Sequence, residues 1–249
     1  MSQFTAIIWK EWILFKKKFI DITIGALTGP LLYLIAFGWG LGGAVFVGGA
    51  VFVGGVSYTA FVMPGIIAMN GMTQGFGVIA NDINMARIYQ KTFEAVMVSP
   101  VSMPIFMFAR ITANLLRCLY NATLIIAVSF LFSAGLRLDW YFLLLLALNC
   151  AVFSTIGFIA GLLIDSHADM AKTSNFIITP MSFLCGTFFP LERFPFVLRK
   201  IIEFLPLTQA VNGMRAGINA EFSFVPPLTL LAWLALLLPA AALLCKKAA

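Results

Sequence analysis

The chain has 249 residues, of which 61% are hydrophobic and 10% charged, with a mean hydropathy of +1.00. A soluble domain carries about 25% charged residues, so this composition excludes a water-soluble fold and specifies an integral membrane protein. The net charge of +6 is scattered between apolar runs, which excludes a nucleic-acid patch and suits the positive-inside rule and anionic lipid.

At about 20 residues per crossing the chain has room for roughly six spans, so the expected fold is an all-α membrane protein with six transmembrane helices. Residues 2–19 are predicted to form an amphipathic helix lying in the membrane interface. Phe4, Ile8, Trp12, Phe15 and Phe19 make its apolar stripe. Lys10 and Lys17 lie opposite, and Lys16 and Lys18 extend the basic end. Trp9, Lys10, Trp12 and Lys17 are its candidate contact residues. The first span is expected at about 20–41, with Asp21 at its edge and a kink at Pro30. GAVFVG at 43–48 is copied at 49–54. It reads as a tolerated loop duplication, with a flexible outer hairpin near the exit of a pathway as the alternative. The second span, about 59–80, is small-faced through Pro64, Gly65, Gly71, Gly75 and Gly77, which suits close packing. Asn70 and Gln74 stand one turn apart on it.

Arg87 to Pro100, RIYQKTFEAVMVSP, is a polar island between long apolar runs. Read as one helix, it places Tyr89, Phe93, Val96 and Met97 on one face and Arg87, Gln90, Lys91 and Glu94 on the other. Ser99-Pro100 ends it. A loop that merely joined two spans would not need two faces. This helix is therefore expected either to dock on a soluble partner or to lie among lipid headgroups.

The third span falls within 103–134, with Arg110 and Arg117 snorkelling or paired toward its inner half. The fourth is expected at about 141–163. Asp165, His167, Asp169 and Lys172 read as a short inner loop, whose spacing and lone histidine make a solvated loop the better reading than a metal site. The fifth span, about 173–190, runs into a stretch bracketed by Pro190, Pro195 and Pro206. That stretch, 191–211, is too polar to cross lipid and too apolar to float free, so an outer re-entrant helical hairpin is expected. Arg215 follows it. The last span is about 227–245, stopped by Lys246 and Lys247. The four cysteines have no metal spacing and read as reduced, buried residues. The N-terminal run lacks a cleavage site and is not expected to be a signal peptide. With both ends inside, eleven of the sixteen basic residues fall on the cytosolic side or inner half, which favours N-in and C-in.

There is no GxxxxGK[ST] phosphate loop, no HExxH and no GxSxG, so the chain is not expected to be an enzyme or to bind a cofactor of its own. No span carries a chain of acids or histidines suited to proton relay. Active transport would then draw its energy from another subunit.

Four features together resemble the type-2 ATP-binding-cassette (ABC-2) exporter permeases. They are the amphipathic N-terminus; Lys91-Thr92-Phe93-Glu94 followed by Ser99-Pro100; Pro180 to Pro190 (PMSFLCGTFFP) with Pro195 and Pro206-Leu207; and Asn212-Gly213-Met214-Arg215. Within that family the chain looks most like the single-domain permeases of drug-resistance and nodulation-factor export. The resemblance implies a half-transporter of the bacterial inner membrane, pairing with a second copy and with two nucleotide-binding subunits that hold Mg-ATP. It implies a coupling helix at 87–100, with Arg87, Tyr89, Gln90, Lys91, Phe93, Glu94, Val96 and Met97 as contacts to the ATPase. It makes residues 2–18 the interface helix, and Pro190, Pro195, Pro206 and Arg215 an outer gate. The first, second and fifth spans would face the dimer seam, so Tyr33, Phe37, Asn70, Gln74, Asn175 and Thr179 are path candidates. The cargo would be a lipid-linked glycan, a lipid or an amphipathic drug. An ATP-independent channel or carrier and a membrane assembly scaffold are the alternatives. On the docking reading, Phe93→Asp is expected to break subunit association while the chain still inserts.

Overall fold

The computed structural model describes residues 2–35, 52–53, 56–131, 138–218 and 222–247. Phe37, the end of the predicted first span and most of the GAVFVG tandem lie outside them. The regular secondary structure of the described residues is helical apart from a two-residue antiparallel pairing of Phe52–Val53 with Val56–Ser57. In chain order the helices are α1 (Gln3–Lys17), α2 (Phe19–Leu34), α3 (Tyr58–Ile88), α4 (Thr92–Val98), α5 (Met103–Leu131) and α6 (Trp140–Leu163). They continue as α7 (His167–Thr173), α8 (Thr179–Leu184), α9 (Phe196–Glu203), α10 (Pro206–Ile218) and α11 (Val225–Lys247).

Among the described residues, α5, α6 and α11 are each long and apolar enough to cross a membrane, and α2 is a shorter apolar helix. α3 has 31 residues. At 1.5 Å per residue it is about 46 Å long, more than the roughly 30 Å hydrocarbon core. It therefore projects past any membrane it spans, well beyond the predicted end at residue 80.

The most extensive contact among the described helices is between α3 and α6. A Cβ on Gly157 would sit 2.5 Å from the Phe76 carbonyl oxygen, and one on Gly75 would sit 3.3 Å from the Cys150 carbonyl oxygen. Both helices thus bring backbone against backbone, as small residues permit in lipid. Amide side chains reinforce the seam. Asn149 Nδ2 donates to the Ala68 carbonyl at 2.9 Å, and Asn114 Nδ2 of α5 donates to the Gly75 carbonyl and to Ser154 Oγ, both at 2.8 Å. Around this seam the main core gathers Met63, Ile67, Met72, Phe142, Phe153 and Phe188. The cysteines Cys118, Cys150, Cys185 and Cys245 are free and buried.

The predicted inner loop at 165–172 is mostly helix. Ser166 caps α7 by accepting from the Ala168 N–H at 3.2 Å, and α7 runs through a π turn (Ser174–Ile178) into α8. Pro180 explains the widened turn, because its ring lacks an N–H and crowds the carbonyl one turn back. Gly186, at φ +77°, then ends the rod in the left-handed region. The predicted segment 191–211 divides into a 3₁₀ turn (Leu191–Arg193), α9 and the first part of α10. α10 packs on α6, α11 and α3 and so belongs to the bundle.

The glycine seam makes a direct prediction. Gly157→Leu overpacks backbone against backbone and costs about 1–3 kcal/mol, visible as a lower unfolding temperature in detergent. Gly77, which has nothing within 4 Å of an added Cβ, accepts alanine without loss.

Candidate functional site

The site is assembled at one end of the bundle, from the C-termini of α3 and α6, the short helix α4 and the start of α1. Arg87 closes α3. Its guanidinium donates to the Leu162 and Gly161 carbonyls at the end of α6 and pairs with Asp165. Asn84 Nδ2 donates to the Ile164 carbonyl at 2.7 Å. A helix C-terminus leaves its last carbonyls open and carries partial negative charge, so a cation and an amide from α3 are the complement it needs. Arg87 therefore ties the end of α3 to the end of α6.

The Met85 carbonyl accepts from both Tyr89 N (3.1 Å) and Gln90 N (2.9 Å), and Lys91 at φ +51° turns the chain in the left-handed region. This breaks the single helix expected over 87–100. The phase is reset at Lys91, so Tyr89 and Phe93 do not share a face. Tyr89 is 60% exposed, whereas Phe93 is 2% exposed, set edge-on to Phe106 with centroids 5.9 Å apart. Phe106 in turn contacts Phe158 of α6, and the same cluster takes in Ile79, Ile83 and Cys245. Val96 and Met97 are half-buried against it. The apolar face of α4 is thus satisfied by its own bundle. The outward face carries Tyr89, Gln90, Lys91, Glu94, Ala95 and Val98, with Val98 87% exposed.

α4 ends as its sequence dictates, with Ser99 N and Oγ both donating to the Val96 carbonyl and Pro100 next. Here Gln3 enters, a residue that sequence reasoning missed. Its Nε2 donates to the Pro100 carbonyl at 2.7 Å and its Oε1 accepts from the Ser102 N–H at 3.3 Å. The start of α1 therefore clasps the end of α4. No local pattern marks that pairing, since the partners are 97 and 99 residues apart.

α1 itself is amphipathic but turned differently from its predicted stripe. Phe4, Ile8 and Phe15 are half-buried, while Trp12 is 46% and Phe19 45% exposed. Trp9, Lys10 and Lys17 are also exposed. The break at Lys18 separates Phe19 from the α1 register. Glu11, unremarked in the sequence, pairs with Arg110 of α5, whose guanidinium also lies 3.6 Å from Asp82.

At the opposite end Arg215 does the joining. Its Nε donates to the Phe61 carbonyl at 2.9 Å and its Nη2 to the Thr187 carbonyl at 2.8 Å, with the guanidinium 3.7 Å over the Phe61 ring. Pro206 is buried at the first position of α10, Pro190 is half-buried, and Pro195 is exposed before α9. On α9 Arg199 and Lys200 both pair with Glu203, and the Arg199 hydrogen bond holds the Glu203 carboxyl below the usual carboxylate range. The described path candidates differ in exposure. The Tyr33 ring lies 5.5 Å from Phe188, Asn70 is buried, Gln74 half-buried, and Asn175 and Thr179 exposed. Asp165 and Asp169 are taken by Arg87 and Lys172, and no metal-binding group of acids, histidines and cysteines occurs among the described residues.

The described residues thus form a helical membrane bundle with a backbone-tight seam, a short helix plugged into one end and Arg215 joining elements at the other. The model of the ABC-2 type transporter family matches residues 2–219, and the chain belongs to that family. It is 27% identical over 215 residues to the inner membrane transport permease YadH of Escherichia coli (strain K12), covering 84% of this chain and 80% of that protein. It is 31% identical over 212 residues to nodulation protein J of Rhizobium leguminosarum bv. trifolii, covering 84% and 78%. Nodulation protein J of Rhizobium meliloti (strain 1021) is 28% identical over 212 residues, with the same coverage.

Burial of Phe93 changes what its substitution should do. Phe93→Ala is expected to destabilise the permease itself by about 3 kcal/mol or more, as large-to-small changes of buried aromatics do. Thermal unfolding of the purified chain, with no partner present, measures this.

Proposed function

We propose that this chain is the membrane subunit of an exporter driven by ATP that a separate subunit hydrolyses. The end carrying α4 faces the cytosol, both termini lie inside, and six helical segments cross the membrane, α7–α8 serving as the fifth. Two copies pair, each with one ATPase subunit. Mg-ATP is held by those subunits, and this chain supplies no catalytic group.

One observation carries the reading. α4 is anchored inward by Phe93 and clasped by Gln3, yet α4 and the turn before it leave Tyr89, Lys91, Glu94 and Val98 exposed among the described residues. A large aliphatic residue left 87% exposed beside a tyrosine suits the aromatic and aliphatic anchors of an interface. An ATPase subunit seated there moves α4, and the Phe93–Phe106–Phe158 ring contacts pass that motion to α5 and α6 as a rigid-body shift. The cargo is a lipid, a lipid-linked glycan or an amphipathic drug. The apolar, charge-poor spans support that class.

The double variant Tyr89→Asp/Val98→Asp is expected to lower capture of the cognate ATPase subunit at least about tenfold, equivalent to 1.4 kcal/mol, while the permease keeps its unfolding temperature. Unchanged capture removes the docking role from α4. Solute movement in liposomes containing this chain alone, without ATP, would instead make it a channel.

A further inference from the structure

A cavity of ≈ 490 Å³ opens between α1, α2, α3 and α5, and none of the described path candidates lines it. Its polar wall is Glu11, Lys18, Asp82, Arg110, Asn114 and Arg117, and its mouth is aromatic, formed by Trp12, Phe15, Phe19 and Tyr120. The charges do not cancel. Arg110 is committed to Glu11 and Asp82, and Asp82 feels Arg117 and Lys18 only at longer range. Three cations face two carboxylates, an excess of one positive charge.

Of the three, Lys18 and Arg117 are the two cations left without an ion pair among the described residues, and Arg117 is the less exposed of them. It makes no hydrogen bond or ion pair with the described residues, and its Nε is buried without a partner. A guanidinium on a helix apolar enough to cross a membrane is costly to leave uncompensated. The planar fork of arginine matches phosphate oxygens.

The mouth fits the same ligand. Phe15 and Phe19 pack on Tyr120, whose hydroxyl lies 2.9 Å from Thr23 Oγ1, and Leu116 beside them is 54% exposed. Apolar surface thus leads from the charged floor outward to where hydrocarbon lies beside an interfacial helix. Basic pockets between spans at the cytoplasmic side bind anionic headgroups.

We propose that this cavity is a binding site for an anionic phospholipid of the adjacent leaflet, its phosphodiester on Arg117 and Lys18 and its acyl chain along Phe15, Phe19 and Leu116. The site rests on the reading that this end of the bundle meets the membrane surface, but it requires neither the ATPase nor transport. A zwitterionic headgroup brings its own cation to a cavity already positive and is disfavoured.

The test is native mass spectrometry of the purified full chain titrated with phosphatidylglycerol, phosphatidylcholine or inorganic phosphate. The chain is expected to retain phosphatidylglycerol over phosphatidylcholine, Arg117→Gln to lower that retention about tenfold, and Arg117→Lys to keep part of it. Lys18→Gln, at an exposed position, gives a smaller loss without touching the bundle, so the test does not depend on how the Arg117 variants fold. Equal retention by Arg117→Gln and Lys18→Gln, or equal retention of phosphatidylcholine, overturns the proposal. Displacement of the lipid by millimolar inorganic phosphate overturns a lipid occupant in favour of a free phosphate. Loss of ATPase capture with lipid retention intact would touch only the coupling role of α4.

Discussion

The backbone contact between α3 and α6 is the constraint from which the rest of the molecule takes its geometry. In lipid there is no hydrophobic force to bring two apolar helices together, so close packing and amide hydrogen bonds must do it. Gly75 and Gly157 allow the approach, and Asn114 and Asn149 use it by donating to α3 carbonyls that only a close neighbour can reach. Because α3 runs on past this seam, its far end falls beside the C-terminus of α6. That is why Arg87 and Asn84 find the Leu162 and Ile164 carbonyls.

From that anchor α4 inherits a fixed origin. It is tied at its start through Arg87, in its middle through Phe93, and at its end through Gln3. A short helix of seven residues has no stability of its own in water, so these ties are what make it a helix. They also make it stiff with respect to the spans. The clasp through Gln3 ties α1 to the same unit. At the other end Arg215 does similar work with backbone carbonyls, joining α10 to the start of α3 and to the turn after α8. One guanidinium at each end thus stitches together elements that lie far apart in the chain.

Legibility in the sequence followed the range of the interaction. The small face of α3 was readable because Gly65, Gly71 and Gly75 recur within one helix, although Gly77 on the same stretch meets nothing. The polar island after α3 was readable because it interrupts long apolar runs. Its inward face was misassigned because periodicity assumes one unbroken helix, and Lys91 in the left-handed region carries no glycine or asparagine to announce the break. Periodicity also reports that a face is apolar without reporting what covers it, and Phe93 is covered by Phe106 of the same chain. The α1 stripe suffered the same ambiguity: with Glu11 drawn inward by Arg110, the buried side of α1 includes a carboxylate and leaves Trp12 outside.

What the sequence alone decided is the solvent and the family: too few charges to face water, apolar runs long enough for lipid, and proline and glycine punctuation matching the ABC-2 permeases. These follow from composition and from residues close together in the chain, so no tertiary contact is needed to read them. The tertiary structure decided which side of each amphipathic helix is inside, which arginine is neutralised and which is not, and how α4 is held. Those outcomes rest on partners such as Gln3 with Pro100 and Glu11 with Arg110, which are 97 and 99 residues apart. Only packing brings such pairs together, and their charge or hydrogen-bonding capacity looks unremarkable until it does.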